Sequence, residues 1–106
     1  MDPKYKGCRM SAQDAQREAH KIAFAPIVFQ VSRLMVKYGI FSMLEEAGRK
    51  TPAGMTVEEI SEKTGLSVYA VAVLLESSLT AGTVFLNDKR FTVSKIGWFL
   101  LNCLLY

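Results

Sequence analysis

The sequence predicts a mainly α domain, a winged helix-turn-helix with a small antiparallel β-hairpin wing. Capping residues and glycines bracket two adjacent segments, residues 56–65 and 67–82, as they do in a helix-turn-helix. The apolar pattern then changes its period at Thr83, where a short β-branched and apolar run begins. A polar turn over residues 87–90 separates this run from a second one at residues 91–93. Helix, turn, helix and hairpin follow one another in the order of a winged helix.

The N-terminal part is predicted to begin with a flexible tail over residues 1–10, and the domain is assigned to residues 11–106. Ser11 is a good N-cap residue, and a charged helix should follow it to residue 25. Pro26 lacks an amide donor, so we expect it to break or kink this helix.

A second helix is expected from Ile27, because large apolar residues recur at spacings of three and four up to Tyr38. Gly39 should end it in a left-handed conformation. A short helix should follow over residues 40–47 and end at Gly48.

The helix-turn-helix carries the clearest local signature. Thr56 and Glu59 form a capping box for a helix that ends before Gly65, and Ser67 caps the next helix, which extends over residues 68–81. After the hairpin, Ser94 is expected to cap a final helix.

Composition points to one reduced, cytoplasmic domain. The chain has 106 residues, half of them hydrophobic, with a net charge of +3 that permits an acidic partner without requiring one. Cys8 and Cys103 are far apart and are expected to be free thiols. A single histidine makes a zinc site improbable on ligand count, and we expect neither a secretory signal nor a membrane-spanning helix.

Catalytic chemistry is not predicted for this chain. The adjacent pairs Glu45–Glu46 and Glu58–Glu59 should point in different directions on their helices, so neither forms a carboxylate dyad. No phosphate-binding glycine loop and no metalloprotease motif occurs. We therefore expect no catalytic, cofactor-binding or metal-binding residue here.

DNA binding is the alternative that the helix-turn-helix raises. Its second helix would enter the major groove, yet residues 68–81 contain no Lys, Arg, Asn or Gln to read base edges. The remaining candidates for nucleic-acid contact are Tyr69 on that helix and Lys89 and Arg90 on the wing. Two cations give weak phosphate binding, so nucleic acid is an unexpected partner.

The same helix is apolar nearly all round, and one small domain can cover only one side of it. The final helix is also rich in large apolar residues, among them Trp98 and Phe99. Surplus apolar surface of this kind indicates a protein interface.

Three stretches of the chain carry a family resemblance. The first is the segment 38–41 with Leu44, and the second is the capped helix and turn at 55–60 and 64–67. The third comprises positions 74–75 of the long helix, its exit at 81–84 and the wing at 91–94. Together they resemble the N-terminal domain of bacterial S-adenosylmethionine-dependent O-methyltransferase-like proteins. The resemblance covers about residues 20–101.

This resemblance implies a winged-helix domain that forms a homodimer, can close over a substrate pocket and precedes a Rossmann-like catalytic domain. S-adenosylmethionine would bind in that catalytic domain, whose glycine-rich loop this chain lacks, so the chain is expected to be a fragment or partner subunit. Two alternatives stay open, a DNA-binding transcriptional regulator and a free-standing interaction module. The implied dimer contacts are Phe29, Met35, Tyr38, Val68, Ala72 and Val73, and the apolar final helix adds Trp98 and Phe99.

Overall fold

The structure is a computed structural model that describes residues 9–51 and 53–104. Within those ranges it is mainly helical with one two-stranded antiparallel sheet, so the predicted fold class is confirmed. Most of the predicted tail, Cys8, and the last two residues lie outside the described residues. The elements in chain order are α1 (Ala12–Lys37), α2 (Ile40–Lys50), α3 (Val57–Thr64), α4 (Val68–Ala81), β1 (Val84–Asn87), β2 (Arg90–Val93) and α5 (Lys95–Leu104).

Helix α1 corrects the first boundary prediction. It runs without interruption for 26 residues, with Pro26 inside it, so the prediction of two separate helices is wrong. A proline in a helix leaves the carbonyl four residues earlier without its amide partner, here the carbonyl of Ile22. Both residues are exposed, so water can donate to that carbonyl. Ser11 caps the helix as predicted, its hydroxyl accepting from the Asp14 amide at 3.0 Å.

Helix α2 corrects the second boundary. It begins after Gly39, which is left-handed at φ 74°, but it continues through Gly48 to Lys50. Two ion pairs span the glycine, Arg49 to Glu45 at 2.6 Å and Lys50 to Glu46 at 3.4 Å. Pairs at this spacing each stabilise a helix by about 0.2–0.5 kcal/mol, which offsets part of the helix cost of a glycine.

The helix-turn-helix forms as the capping residues predict. The Thr56 hydroxyl accepts from the Glu59 amide at 3.2 Å, and the Ser67 hydroxyl accepts from the Ala70 amide at 3.1 Å. Gly65 ends α3 in a left-handed conformation. The chain then bends by 119° into α4, which is typical of a helix-turn-helix.

The wing is a tight hairpin in which Val84 pairs with Val93 and Asn87 pairs with Arg90. Asp88 and Lys89 form its two-residue turn, and both have positive φ, 51° and 65°. A type I′ hairpin turn needs this conformation at both central positions, so the wing closes without the usual glycine.

The core lies between the C-terminal half of α1 and the elements that follow it. Helix α5 packs closely on the wing base, because a Cβ at Gly97 would come within 2.3 Å of the Thr83 carbonyl oxygen. The buried core residues are Met35, Ile40, Phe41, Leu44, Met55, Ile60, Val71, Leu74, Leu75, Val84, Phe91 and Leu101.

The N-terminal half of α1 projects from this core. Every residue from 12 to 27 is exposed, and we call this segment the arm. The molecule measures 56 × 27 × 24 Å with a radius of gyration of 16.6 Å. A compact domain of this length would have a radius of gyration of about 13 Å. The arm, about 24 Å long at the rise of an α-helix, accounts for the elongation.

Candidate dimer interface

The carboxylates and hydroxyls considered for catalysis make local contacts in the described part of the chain. It contains no cluster of three or more His, Cys, Asp or Glu side chains placed to hold a metal ion. Glu45 and Glu46 take part in ion pairs along α2, as described above. The buried Ser78 hydroxyl donates to the Leu74 carbonyl at 2.7 Å, which is a helix-packing role. The remaining candidates for a functional site are the exposed apolar surfaces.

One of these surfaces is an open groove between the arm and the body. It has a volume of about 520 Å³. We call it the arm groove. Its wall on α1 consists of His20, Lys21, Phe24, Ala25, Val28, Phe29 and Ser32, and its wall on the body consists of Thr80, Ala81 and Leu100.

The arm carries large apolar side chains in water. Phe24 is 55% exposed, Ile27 is 58% exposed and Ile22 is 76% exposed. The charged side chains of the arm pair along their own helix, Lys21 with Glu18 at 3.1 Å and Arg17 with Asp14 at 3.9 Å. The ion pairs therefore do not shield Ile22, Phe24 and Ile27 from solvent.

Helix α4 carries a second apolar patch at its N-terminal end. Val71 and Leu75 face the core, whereas Val68 and Val73 are exposed and Ala72 is half-buried. The domain thus covers one side of this helix only, as its apolar sequence predicted. Twelve residues separate Val68 from the groove residue Thr80, which is about 18 Å along a helix, so this patch is distinct from the arm groove.

A third apolar patch lies on α5 and the wing. The rings of Trp98 and Phe99 meet edge-to-face, with centroids 4.9 Å apart, and both side chains are exposed. On β1, Phe85 and Leu86 are exposed as well. Neither strand residue belongs to the contact set predicted from the sequence. A half-buried strand alternates between buried and exposed side chains, whereas β1 exposes three consecutive positions.

Met35 differs in burial from the other predicted dimer contacts. It is 0% exposed and belongs to the core, because it lies on the side of α1 that faces the body. A partner could reach it only by opening the core. Phe29 and Tyr38 remain exposed, with the Arg33 guanidinium 5.9 Å from the Phe29 ring and the Lys37 ammonium 5.7 Å from the Tyr38 ring.

The alternative nucleic-acid contacts do not form one cationic surface. Tyr69 is 79% exposed at the start of α4, and Lys89 is exposed at the tip of the wing. Arg90 is already engaged, since its guanidinium donates to the Gly54 carbonyl at 3.0 Å and pairs with Glu59 at 3.2 Å. Within the described ranges, Lys89 makes no such contact.

Of the two cysteines, Cys103 is an exposed thiol near the end of α5, and Cys8 lies outside the described residues. Within the described residues no single helix is long and apolar enough to cross a membrane, although two pairs of bent helices meet that test together by length and composition.

The domain is mainly helical and winged-helix-like, and part of its apolar surface stays exposed in the single chain. These features are typical of domains that associate with other proteins. Comparison with protein families makes this specific. The model of the Dimerisation2-like domain matches residues 16–91, and the chain belongs to this family. The match begins in the arm and ends in β2. A search of curated proteins finds no match to the chain.

Proposed function

We propose that the chain forms a homodimer through its arm and arm groove, as the N-terminal dimerisation and substrate-lid domain of an S-adenosylmethionine-dependent methyltransferase. The observation that carries the dimer is the uncovered arm, in a chain that belongs to a dimerisation-domain family. The methyltransferase parent rests on the resemblance of the three stretches described above.

The energetics of the arm favour a partner. Burying a large aliphatic or aromatic side chain that would otherwise face water contributes about 1.5–3 kcal/mol. Ile22, Phe24 and Ile27 are all more than half exposed. Covering them in each of two copies supplies several kcal/mol toward the entropy that association costs.

The arm has two roles in such a dimer, because its apolar side chains point in different directions. Phe24 and Ala25 line the groove of their own chain. Ile22 and Ile27 do not line it, and they are exposed. The first set can receive a partner, and the second can enter the groove of a partner.

Symmetry favours a second copy over an unrelated protein. In a two-fold dimer the same surface serves both subunits, so a contact made once is made twice. If each arm enters the groove of the other copy, both grooves are filled and no arm is left over. The interface then closes at two copies.

Light scattering after gel filtration, together with sedimentation equilibrium, tests the dimer. At high micromolar concentration we expect a mass of twice 11.8 kDa, and dilution should return the monomer mass. A mass of 11.8 kDa that persists at 200 μM would contradict the proposed dimer.

The methyltransferase parent has a separate test. The coding sequence downstream of residue 106 should encode, in frame, a β-strand followed by a glycine-rich loop and a helix, the kind of site that binds nucleotide-containing cofactors and that the resemblance implies for S-adenosylmethionine. The longer protein should then bind S-adenosylmethionine in calorimetry. A downstream domain of another class would contradict this part of the proposal and leave the dimer intact.

A further inference from the structure

We infer that dimerisation and helix formation in the arm are one equilibrium, so that residues 12–27 become a stable helix only when a second copy covers them. This inference rests on the proposed homodimer and adds how its assembly is controlled. The occupant of the arm groove is the second copy, for the reasons of symmetry given above.

Among the described residues, the arm is exposed along its whole length in the single chain. The anchored part of α1 begins at the half-buried Val28 and includes the buried Ser32 and Met35. Every described residue before Val28 is exposed. An isolated helix of about this length is marginal in water, because its stability normally comes from packing.

Pro26 stands at the boundary between the anchored half and the arm. A helix that grows from the anchored half toward the N-terminus must pass this residue, which removes one hydrogen bond and disfavours helical backbone at Ala25. The resulting penalty is on the order of a 100-fold reduction in the helix equilibrium. The anchored half therefore does not propagate helix freely into the arm.

Local interactions in the arm are smaller than this penalty. The Ser11 cap favours helix by about fivefold. The pairs Asp14–Arg17 and Glu18–Lys21 each add less than about threefold, since both are well exposed. Contacts from a second copy supply the remainder, so the arm orders as the dimer forms.

The substitution Pro26→Ala tests the coupling. If the arm is disordered in the monomer, it becomes helical during dimerisation, and the proline penalty then weakens dimerisation. Replacing the proline should in that case lower the dimer Kd by at least tenfold. If the arm is already helical in the monomer, the proline affects monomer and dimer equally and the Kd should not change. The Kd is measured by sedimentation equilibrium on the full chain.

Gly48→Ala is the matched control. It also replaces a poor helix former by alanine, and a Cβ at Gly48 meets nothing within 4 Å. Because α2 lies in the body, this variant should raise the stability of the fold and leave the Kd within about twofold. Ala19→Gly in the arm should act in the opposite direction and, because each dimer orders two arms, raise the Kd by about 15- to 30-fold.

Hydrogen exchange supplies an independent readout. Arm amides should exchange at nearly unprotected rates below the Kd and slow by more than tenfold above it, while the amides of α2 change little. The coupling would be overturned if the protection of the arm amides did not depend on protein concentration and the Kd of Pro26→Ala were unchanged. The proposed homodimer would stand in that case. A chain that stays monomeric at every concentration would overturn the proposed function itself.

Discussion

At the scale of single residues, exposure in the monomer decides which of the predicted contacts a partner can reach. Phe29, Tyr38, Val68 and Val73 are accessible, and Met35 is not. Ile22, which the sequence analysis placed on a charged surface helix, is among the most exposed apolar side chains of the chain. Burial in the single chain therefore distinguishes core residues from residues that a partner can reach, which apolar character alone could not do.

Ile22→Asp is expected to weaken the dimer strongly without harming the fold. Each dimer contains two copies of this side chain, and losing about 1.5–3 kcal/mol at each raises the Kd by at least about 100-fold. Because Ile22 is 76% exposed in the monomer, the unfolding midpoint of the diluted protein should not change. Sedimentation equilibrium and urea unfolding measure the two quantities.

Tyr69→Asp is the matched control, since Tyr69 is 79% exposed and lies on the α4 patch away from the arm groove. Its Kd should stay within about threefold of that of the unmodified chain. If Tyr69→Asp dissociated the dimer and Ile22→Asp did not, the interface would lie on α4.

At the scale of elements, the capping residues and the change of period predicted most of the fold. Thr56 and Gly65 place the two ends of α3, and Ser67 places the start of α4, each within a residue, because caps act through local hydrogen bonds. The errors fell at Pro26 and Gly48, where a helix breaker inside a helix is tolerated. Water can donate to the exposed Ile22 carbonyl near Pro26, and ion pairs across Gly48 offset part of the glycine cost. Single-residue propensity does not contain such compensations.

The same treatment of Pro26 as a break concealed the arm. Phe24, Val28 and Ser32 recur at a spacing of four, so one continuous stripe crosses the proline. Taken as one helix, α1 is longer than the body that could cover it. That mismatch is the signal in the sequence that would have predicted an interface on the arm.

Helix α4 has the position of a DNA-recognition helix, and we expect it not to act as one. It presents Val68, Tyr69 and Val73 to solvent, and none of these reads a base edge by the pairings that Arg or Asn use. Fluorescence anisotropy with a duplex at 150 mM salt should show no binding below about 100 μM. Micromolar binding that Lys89→Ala and Arg90→Ala both weaken would favour the regulator alternative instead.

At the scale of the whole molecule, charge and apolar surface make opposite contributions to association. Two copies that each carry a net charge of +3 repel one another, and the charged groups of the arm already pair along their own helix. Attraction between copies must then come from apolar burial, which salt does not screen.

The dimer should therefore tolerate salt. Raising NaCl from 50 to 500 mM screens the repulsion between the like-charged copies and is expected to leave the Kd unchanged or to lower it by up to a few fold. Sedimentation equilibrium at three salt concentrations measures this, with Ile22→Asp as the comparison that lacks the apolar Ile22 contact at any salt. A Kd that rose tenfold with salt would mean that ion pairs between the copies hold the dimer together, and the arm would then bind through its charges and not through Ile22 and Ile27.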